Sequence, residues 1–316
     1  MLHGAFAKSH AFLTLATNFS SVIFGLYERA ANSGSGQLFY YQGTSSGLPA
    51  GVTATRSAGA AGDQFGFSVA IAGDVNGDGI INETFSIFRR DVVVGAPNAA
   101  NGGYSGAGKA YLFNGTSSGL STTAYWSSSV NQAGAKFGFS VAGNANIDLR
   151  NNKDFVVGAP YYDANATDSG AVFAFRSNET GNPQTGSIHQ MATGQVGARL
   201  GYSVCLGDLR EPGNVGASDV IAGAPWFDST SNDDKGKVFI FEGRFDDSPV
   251  PTPSSQWGQV GNPTGLSNGA HLGKSVTYIF KVNSPFDNKC IATGAPEAQL
   301  QLQNGAGLVQ VWELQP

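Results

Sequence analysis

The chain has 316 residues, of which 13 % are charged and 44 are glycine. Because an average globular protein has roughly 25 % charged residues, this composition favours short strands and tight turns over helices with charged faces. The net charge of −5 argues against a nucleic-acid groove or an anionic membrane surface as partner. No apolar run approaches the roughly 18 residues of a membrane-spanning helix, so membrane insertion is not expected.

Three sequence signals recur in a fixed order along the chain. The opening signal is FGFSVA at 65–70, and the closing signal is DVVVGAP at 91–97. A third signal, a glycine followed by an aromatic and β-branched run, comes after each closing signal. The closing signal ends in Gly-Ala-Pro at 95–97, 158–160, 223–225 and 294–296, which gives four clear repeats.

An eroded fifth copy lies at the start of the sequence. Gly4 and Gly25 are 21 positions apart, and the opening and closing glycines of the last three repeats are 20 to 22 apart. The repeat that contains Phe65 is longer, because residues 83–90 are inserted after an acidic loop. The predicted copies are therefore approximately 2–53, 54–125, 126–188, 189–260 and 261–316.

Each copy predicts about four short strands. Runs such as 92–94 and 110–113 are apolar, β-branched or aromatic and are bounded by glycine, which is typical of buried strands. The proline of the closing signal ends its strand because it has no backbone N–H to donate. Segments such as 122–126 suit an outer strand. Four strands in each repeat match the blade of a β-propeller.

The order of these motifs resembles the FG-GAP repeat of the integrin α-subunit β-propeller. The resemblance is strong over 65–312 and weak over 2–41. It implies one all-β domain over 1–316, a β-propeller of about five four-stranded blades with cation loops on one face and ligand-contacting loops on the other. Integrin-type propellers have seven blades, and the last copy here ends after its third strand. We expect a closed five-bladed ring that is monomeric; the alternative is a fragment of a larger propeller.

An acidic loop, GDVNGDGIIN at 73–82, follows the opening signal of the second copy. Its acid and amide side chains stand at alternate positions, and a sharply turning loop directs such oxygens inward, as Ca²⁺ requires. The predicted calcium ligands are the side chains of Asp74, Asn76, Asp78 and Asn82 and the carbonyl of Ile80. Asn82 stands where the family usually has an aspartate, so the site has one charge less.

Two observations limit the calcium prediction. Phe85 occupies the position at which a helical calcium loop would have a bidentate glutamate, so that kind of loop is disfavoured. A turn formed by Asx and glycine residues without an ion stays open as the alternative. The degenerate loop of the next copy has Leu149 in place of the turn glycine and is expected to bind no ion; its polar residues are Asn144, Asn146 and Asp148.

Aromatic residues directly follow the closing signal in two copies. They begin the loop between the second and third strands, which by the resemblance lies on the ligand side. Loops on a rigid scaffold commonly carry recognition residues, and aromatic side chains beside a carboxylate suit a sugar ring or a protein partner. The alternative is that these rings pack between blades. The predicted ligand-binding residues are Tyr161, Tyr162, Asp163, Trp226, Phe227 and Asp228.

Residues that would indicate catalysis are sparse. No histidine has metal-ligand spacing, no serine has a nucleophile signature, and acid pairs such as Asp233-Asp234 are common on surface loops. Cys205 and Cys290 lie in apolar runs and are predicted to be buried thiols rather than a disulfide.

The sequence thus predicts a non-enzymatic, secreted or cell-surface adhesion or ligand-binding protein with a calcium-stabilised loop and an extracellular protein or glycan ligand. The alternatives are a lectin-like carbohydrate-binding propeller and an accessory domain of a polysaccharide-active enzyme.

Overall fold

A computed structural model describes the chain at residues 9–14, 20–27, 33–78, 80–81, 86–87, 90–116, 119–148, 153–177, 189–209, 217–230, 233–243, 267–280, 289–298 and 307–313. Within these ranges all regular structure is β-strand, arranged in small sheets, which confirms the all-β class. The described part contains no helix that is long and apolar enough to cross a membrane. Closure of a ring and the number of its blades stay predictions.

The first two large sheets have four antiparallel strands each. The first sheet joins, in chain order, β1 (Ser9–Thr14), β2 (Ser20–Leu26), β3 (Gln37–Tyr41) and β4 (Ala54–Arg56). The second has the order β12-β9-β8-β5, formed by β5 (Ser68–Gly73), β8 (Asp91–Ala96), β9 (Lys109–Phe113) and β12 (Trp126–Ser129). Two small hairpins interrupt this copy: β6 (Ile80–Ile81) pairs with β7 (Ser86–Ile87), and β10 (Gly115–Thr116) with β11 (Gly119–Leu120).

Three further sheets follow in chain order. The third sheet consists of β13 (Ser140–Ala145), β14 (Asp154–Ala159), β15 (Ala171–Phe175) and β16 (His189–Ala192). The fourth consists of β17 (Ser203–Gly207), β18 (Asp219–Ala224) and β19 (Lys237–Phe241). The fifth consists of β20 (Ser275–Phe280), β21 (Lys289–Ala295) and β22 (Leu308–Glu313). In all five large sheets the closing signal forms a central strand, whereas the outer strands β4, β12 and β16 lie at the start of the following predicted copy.

The chain divides into two compact units, each with its own core. Unit 1 comprises Met1–Asn144, Asn151–Phe155 and Phe175–Gly186, and unit 2 comprises Ala145–Arg150, Val156–Ala174 and Ser187–Pro316. The largest buried side chains of one core cluster in unit 1 are Tyr40, Phe65 and Phe113. A cluster in unit 2 includes Ile221, Ile240, Leu272 and Ile291. Cys205 and Cys290 form no disulfide, as predicted, and burial raises the pKa of Cys205 to about 12.

Successive repeats meet where a closing glycine faces the opening glycine of the next repeat. In unit 1 a Cβ on Gly95 would lie 1.9 Å from the carbonyl oxygen of Gly138. In unit 2 a Cβ on Gly223 would lie 1.9 Å from the carbonyl oxygen of Gly273. No side chain fits in this space, so both signals need glycine where they touch.

The serine of the opening signal strengthens the same contact. Ser68 donates its hydroxyl to the carbonyl of Gly138 at 2.8 Å in unit 1, and Ser203 donates to the carbonyl of Gly273 at 2.7 Å in unit 2. The opening and closing signals therefore encode the contact between neighbouring repeats as well as two strands. This second role was not apparent from the sequence.

The outer strand of the second sheet begins later than predicted. The prediction was 122–126, whereas β12 is Trp126–Ser129 and pairs with β9. Residues before Trp126 have other partners: Tyr125 donates its hydroxyl to Asp91 at 2.9 Å, and Ser121 donates its hydroxyl to the carbonyl of Thr123 at 2.9 Å. The prediction therefore shared only Trp126 with the strand.

Candidate functional site

The acidic loop of the second copy is a tight turn that begins where β5 ends. The backbone N–H of Asp78 donates to Asn76 Oδ1 at 3.1 Å, so these two predicted ligands lie together. Asn114 Nδ2 donates to Asp78 Oδ2 at 3.1 Å from the segment after β9. The carbonyl of Asp74 accepts the N–H of Lys153 at 3.0 Å. The loop is thus held by its own turn and by two later segments of unit 1.

Asp91 is the most important residue of this site that the sequence reasoning missed. It is fully buried at the start of β8, and its Oδ2 accepts the backbone N–H groups of Val75 and Asn76 at 3.1 and 3.3 Å. Its Oδ1 accepts the N–H of Gly115 at 3.0 Å, and its Oδ2 also accepts the Tyr125 hydroxyl. Burial raises the pKa of Asp91 to about 7, although these hydrogen bonds oppose the rise. The carboxylate therefore clamps the acidic loop to the end of β9.

The same clamp recurs in other copies. Asp219 accepts the N–H groups of Leu209 and Gly243, both at 3.0 Å, and Asp154 accepts the N–H of Ser177 at 3.2 Å. All three clamp aspartates are buried and stand four residues before the closing glycine. In the first copy the equivalent position is Ser21, whose Oγ accepts the N–H of Gly43 at 3.0 Å. This spacing was visible in the sequence and is the signal that could have found them.

The described part of the chain contains no group of three or more Asp, Glu, His or Cys side chains gathered to hold a metal ion. One observation nevertheless fits a cation. Asn114 Oδ1 is buried and accepts no hydrogen bond from a described residue, although its amide nitrogen contacts Asp78. A buried amide oxygen without a donor is unfavourable, and oxygen atoms are the ligands that Ca²⁺ prefers. The donor set around Asp78 therefore fits calcium chemistry.

Two predicted ligands and the second loop are described only in part. Ile80 lies in β6, paired with Ile87, and Asn82 lies outside the described residues, so both stay predictions. In the degenerate second loop, Asn144 has a φ of 64° and Asp148 is buried. The carbonyl of Asn146 accepts the N–H of Ser218 at 2.6 Å.

Four of the six predicted ligand-binding side chains have contacts within their own repeat. Tyr162 packs edge-on against Phe173 at 5.4 Å between ring centroids. The carboxylate of Asp163 accepts the backbone N–H of Asp168 at 2.8 Å. The Tyr162 ring and the Asp163 carboxylate thus stabilise the loop to which they belong.

The second aromatic loop repeats this arrangement. Phe227 packs edge-on against Phe239 at 5.4 Å between ring centroids. Asp228 Oδ1 accepts the N–H groups of Asp233 and Asp234 at 2.8 and 2.9 Å. The two remaining predicted residues, Tyr161 and Trp226, have different surroundings.

The rings of Tyr161 and Trp226 both contact the guanidinium of Arg199. The guanidinium carbon of Arg199 lies 4.8 Å from the ring centroid of Tyr161 and 4.2 Å from that of Trp226. Lys274 Nζ lies 5.3 Å from the Trp226 centroid, and the His271 ring lies 5.1 Å from it. Cations and aromatic rings therefore alternate within unit 2.

An acidic residue ends this arrangement. Lys274 donates to Glu297 Oε1 at 2.7 Å, and His271 Nδ1 contacts Glu297 Oε2. The hydrogen bond from Lys274 lowers the pKa of Glu297. We call the whole set the cation–aromatic row; it consists of Tyr161, Arg199, Trp226, His271, Lys274 and Glu297.

The row follows from the repeat. Tyr161, Trp226 and Glu297 each come directly after a closing signal, whereas Arg199 and His271 each come directly before an opening signal. The sequence reasoning found the first kind of position and missed the second. In unit 1 the same two positions also meet, because Lys136 Nζ donates to Asn98 Oδ1 at 2.5 Å.

Comparisons with known proteins point to one group of relatives. The chain is 32 % identical to integrin alpha-6 from Gallus gallus over 127 residues, which are 40 % of this chain and 10 % of that protein. It is 30 % identical to integrin alpha-V from Gallus gallus over 199 residues, which are 60 % of this chain and 16 % of that protein. The chain is distantly similar to integrin α chains. It spans less than a fifth of the length of either relative, and no protein-family model matches it.

Proposed function

We propose that the chain is a non-enzymatic extracellular adhesion or ligand-binding module, formed as a β-propeller of about five blades. The observation that carries this proposal is the contact between closing and opening glycines, which joins successive repeats in both units. The distant similarity to integrin α chains supports the same function. The ligand is an extracellular protein or a glycan, bound by the loops that follow the closing signals.

The binding function is tested with the purified chain on immobilised extracellular-matrix proteins and on a glycan array. We expect saturable binding to at least one protein that is lost when Trp226 is changed to Ala. The matched control is Phe227→Ala, which removes an adjacent ring that packs within its own repeat, at 5.4 Å from the Phe239 ring. Binding to glycans alone would favour the lectin-like alternative, and turnover of a polysaccharide would contradict a non-enzymatic function.

The calcium part of the proposal places one ion at the acidic loop. Its protein ligands would be Asp74, Asn76 and Asp78, with the Ile80 carbonyl and Asn82 completing the set. A bound cation would supply positive charge beside the buried carboxylate of Asp91, whose pKa is raised by burial and, in part, by the charge of Asp78. The clamp and the loop would then be held together by opposite charges.

Thermal unfolding with calcium and with excess chelator tests the ion. We expect calcium to raise the melting temperature of the unchanged chain and to have little effect on Asp78→Ala, because that variant lacks a ligand. The matched control is Asp148→Ala in the degenerate loop, which should keep the full response to calcium. An equal response to calcium in the unchanged chain and Asp78→Ala would show that the loop binds no ion.

A further inference from the structure

We propose that Arg199 binds a carboxylate group of a protein partner, supplied by an exposed Asp or Glu side chain. This inference rests on the proposed ligand-binding function and names the chemistry of the ligand. It assigns the binding position to the middle of the cation–aromatic row, between Tyr161 and Trp226.

The contacts of Arg199 leave its hydrogen-bonding capacity unused. Its guanidinium lies against the rings of Tyr161 and Trp226, at 4.8 and 4.2 Å from their centroids. Its Nε is buried and has no hydrogen-bond acceptor in the described part of the chain. No ion pair joins Arg199 to a described acid. The buried Nε leaves one donor unsatisfied inside the protein, which is unfavourable, whereas the two terminal nitrogens of the planar fork are not among the buried atoms and remain for an acceptor from outside.

The neighbouring basic residues of the row, His271 and Lys274, show which group can pair with a basic side chain at this place. There Glu297 follows the closing signal, and its carboxylate contacts both His271 and Lys274. At Arg199 the equivalent positions are occupied by Tyr161 and Trp226, which have no carboxylate. A carboxylate from outside the chain would therefore make at Arg199 the kind of contact that Glu297 makes within it. The fork of Arg199 also suits a bidentate carboxylate better than a lysine would.

The composition of the site favours a protein over a sugar. A sugar ring needs an uncovered aromatic face to stack on, whereas the Trp226 ring already carries Arg199 at 4.2 Å and Lys274 at 5.3 Å. Tyr, Trp and Arg are the residue types that contribute most energy at protein–protein interfaces. Tyr202 adds a further ring, edge-on to Trp226 at 5.2 Å.

Binding of a labelled hexaglutamate peptide at low ionic strength tests this inference, measured by fluorescence anisotropy. We expect the chain to bind hexaglutamate and not hexaglutamine. Arg199→Gln should weaken the affinity about tenfold or more, because it removes a charged bidentate contact. Arg199→Lys should weaken it less, since it keeps the charge and loses the fork. Lys237→Gln is the matched control, because Lys237 also stacks on aromatic rings, those of Phe227 and Phe239, and should leave the affinity unchanged.

Several outcomes would overturn the inference. Failure to bind hexaglutamate, or equal affinities of the unchanged chain and Arg199→Gln, would show that Arg199 only packs between rings. If Arg199→Gln does not show a native melting transition, the affinity of Arg199→Lys for hexaglutamate is the test instead. An unchanged affinity in that variant contradicts the proposal. Tighter, Arg199-dependent binding to polygalacturonate would assign the site to acidic glycans instead. Matrix-protein binding that survives Arg199→Gln would keep the proposed function and reject this inference alone.

Discussion

The closing glycines at the contact between repeats are required by space, whereas the opening glycines also have a left-handed backbone. We predict that Gly95→Ala lowers the free energy of unfolding by at least about 3 kcal/mol, because the added methyl group would collide with the carbonyl of Gly138. The control is Gly103→Ala, where nothing lies within 4 Å of the added atom and the change should be within roughly 0.5 kcal/mol. Equal effects of the two changes on urea unfolding would contradict the crowded contact.

The buried carboxylate of Asp233 organises the loop after β18. It accepts hydrogen bonds from the hydroxyl groups of Ser229 and Thr230 and from their backbone N–H groups, and it pairs with Lys235 at 3.1 Å. Burial alone would raise the pKa of Asp233, but the hydrogen bonds from Ser229 and Thr230 outweigh burial and lower it. The charged form is therefore favoured by folding.

This lowered pKa predicts a pH dependence of stability. The contribution of Asp233 is fully present above the pKa of an unfolded aspartate, about 3.9, and is lost as the pH falls through the lower folded-state pKa. We expect Asp233→Asn to be clearly less stable than the unchanged chain at neutral pH. The difference in urea midpoint should shrink as the pH is lowered below about 4. A difference that stays constant with pH would show that the carboxylate charge is not involved.

In the second and fourth copies the clamp aspartate joins three segments of its own repeat. Asp219 begins β18 and binds backbone groups after β17 and after β19. We predict that Asp219→Asn lowers the free energy of unfolding by about 1–3 kcal/mol. The asparagine amide has an NH2 group in place of one carboxylate oxygen, so one of the two buried backbone N–H groups would face a donor and lose its acceptor. Asp234→Asn serves as the control, since Asp234 has a φ of 42° and asparagine tolerates that conformation. Equal losses in chemical unfolding would contradict the clamp.

Strands were the most predictable elements, and contacts between repeats the least. The closing strands at 91–96 and 219–224 follow from local apolar runs with glycine boundaries, which a single copy displays. The meeting of Arg199 with Tyr161 joins residues from successive repeats, and no local pattern encodes it. The acidic loop at 73–82 lies between these cases. Its turn was predicted from spacing, but Asp91 was not connected with it because the inserted residues separate them in the sequence.

The proposed ring requires the last repeat to meet the first. The mass of the purified chain in solution tests this closure. We expect a compact monomer of 32.7 kDa by light scattering, because a closed ring leaves no sheet face that needs a partner. Concentration-dependent dimers or aggregates would favour the alternative of a propeller fragment that needs further blades.

In the four repeats whose opening signal the structure describes, the residue before that signal has a left-handed backbone although it is not glycine. The φ angles are 59° at Gln64, 60° at Lys136, 56° at Arg199 and 54° at His271. A side chain in this conformation is strained by roughly 1–2 kcal/mol, and the strain depends little on which unbranched residue is present. Exchanging these residues among themselves should therefore alter the chemistry displayed by each repeat without a new conformational cost. Substitutions at these positions, in evolution or by design, would therefore change the side chain that one repeat displays while its strands stay unchanged.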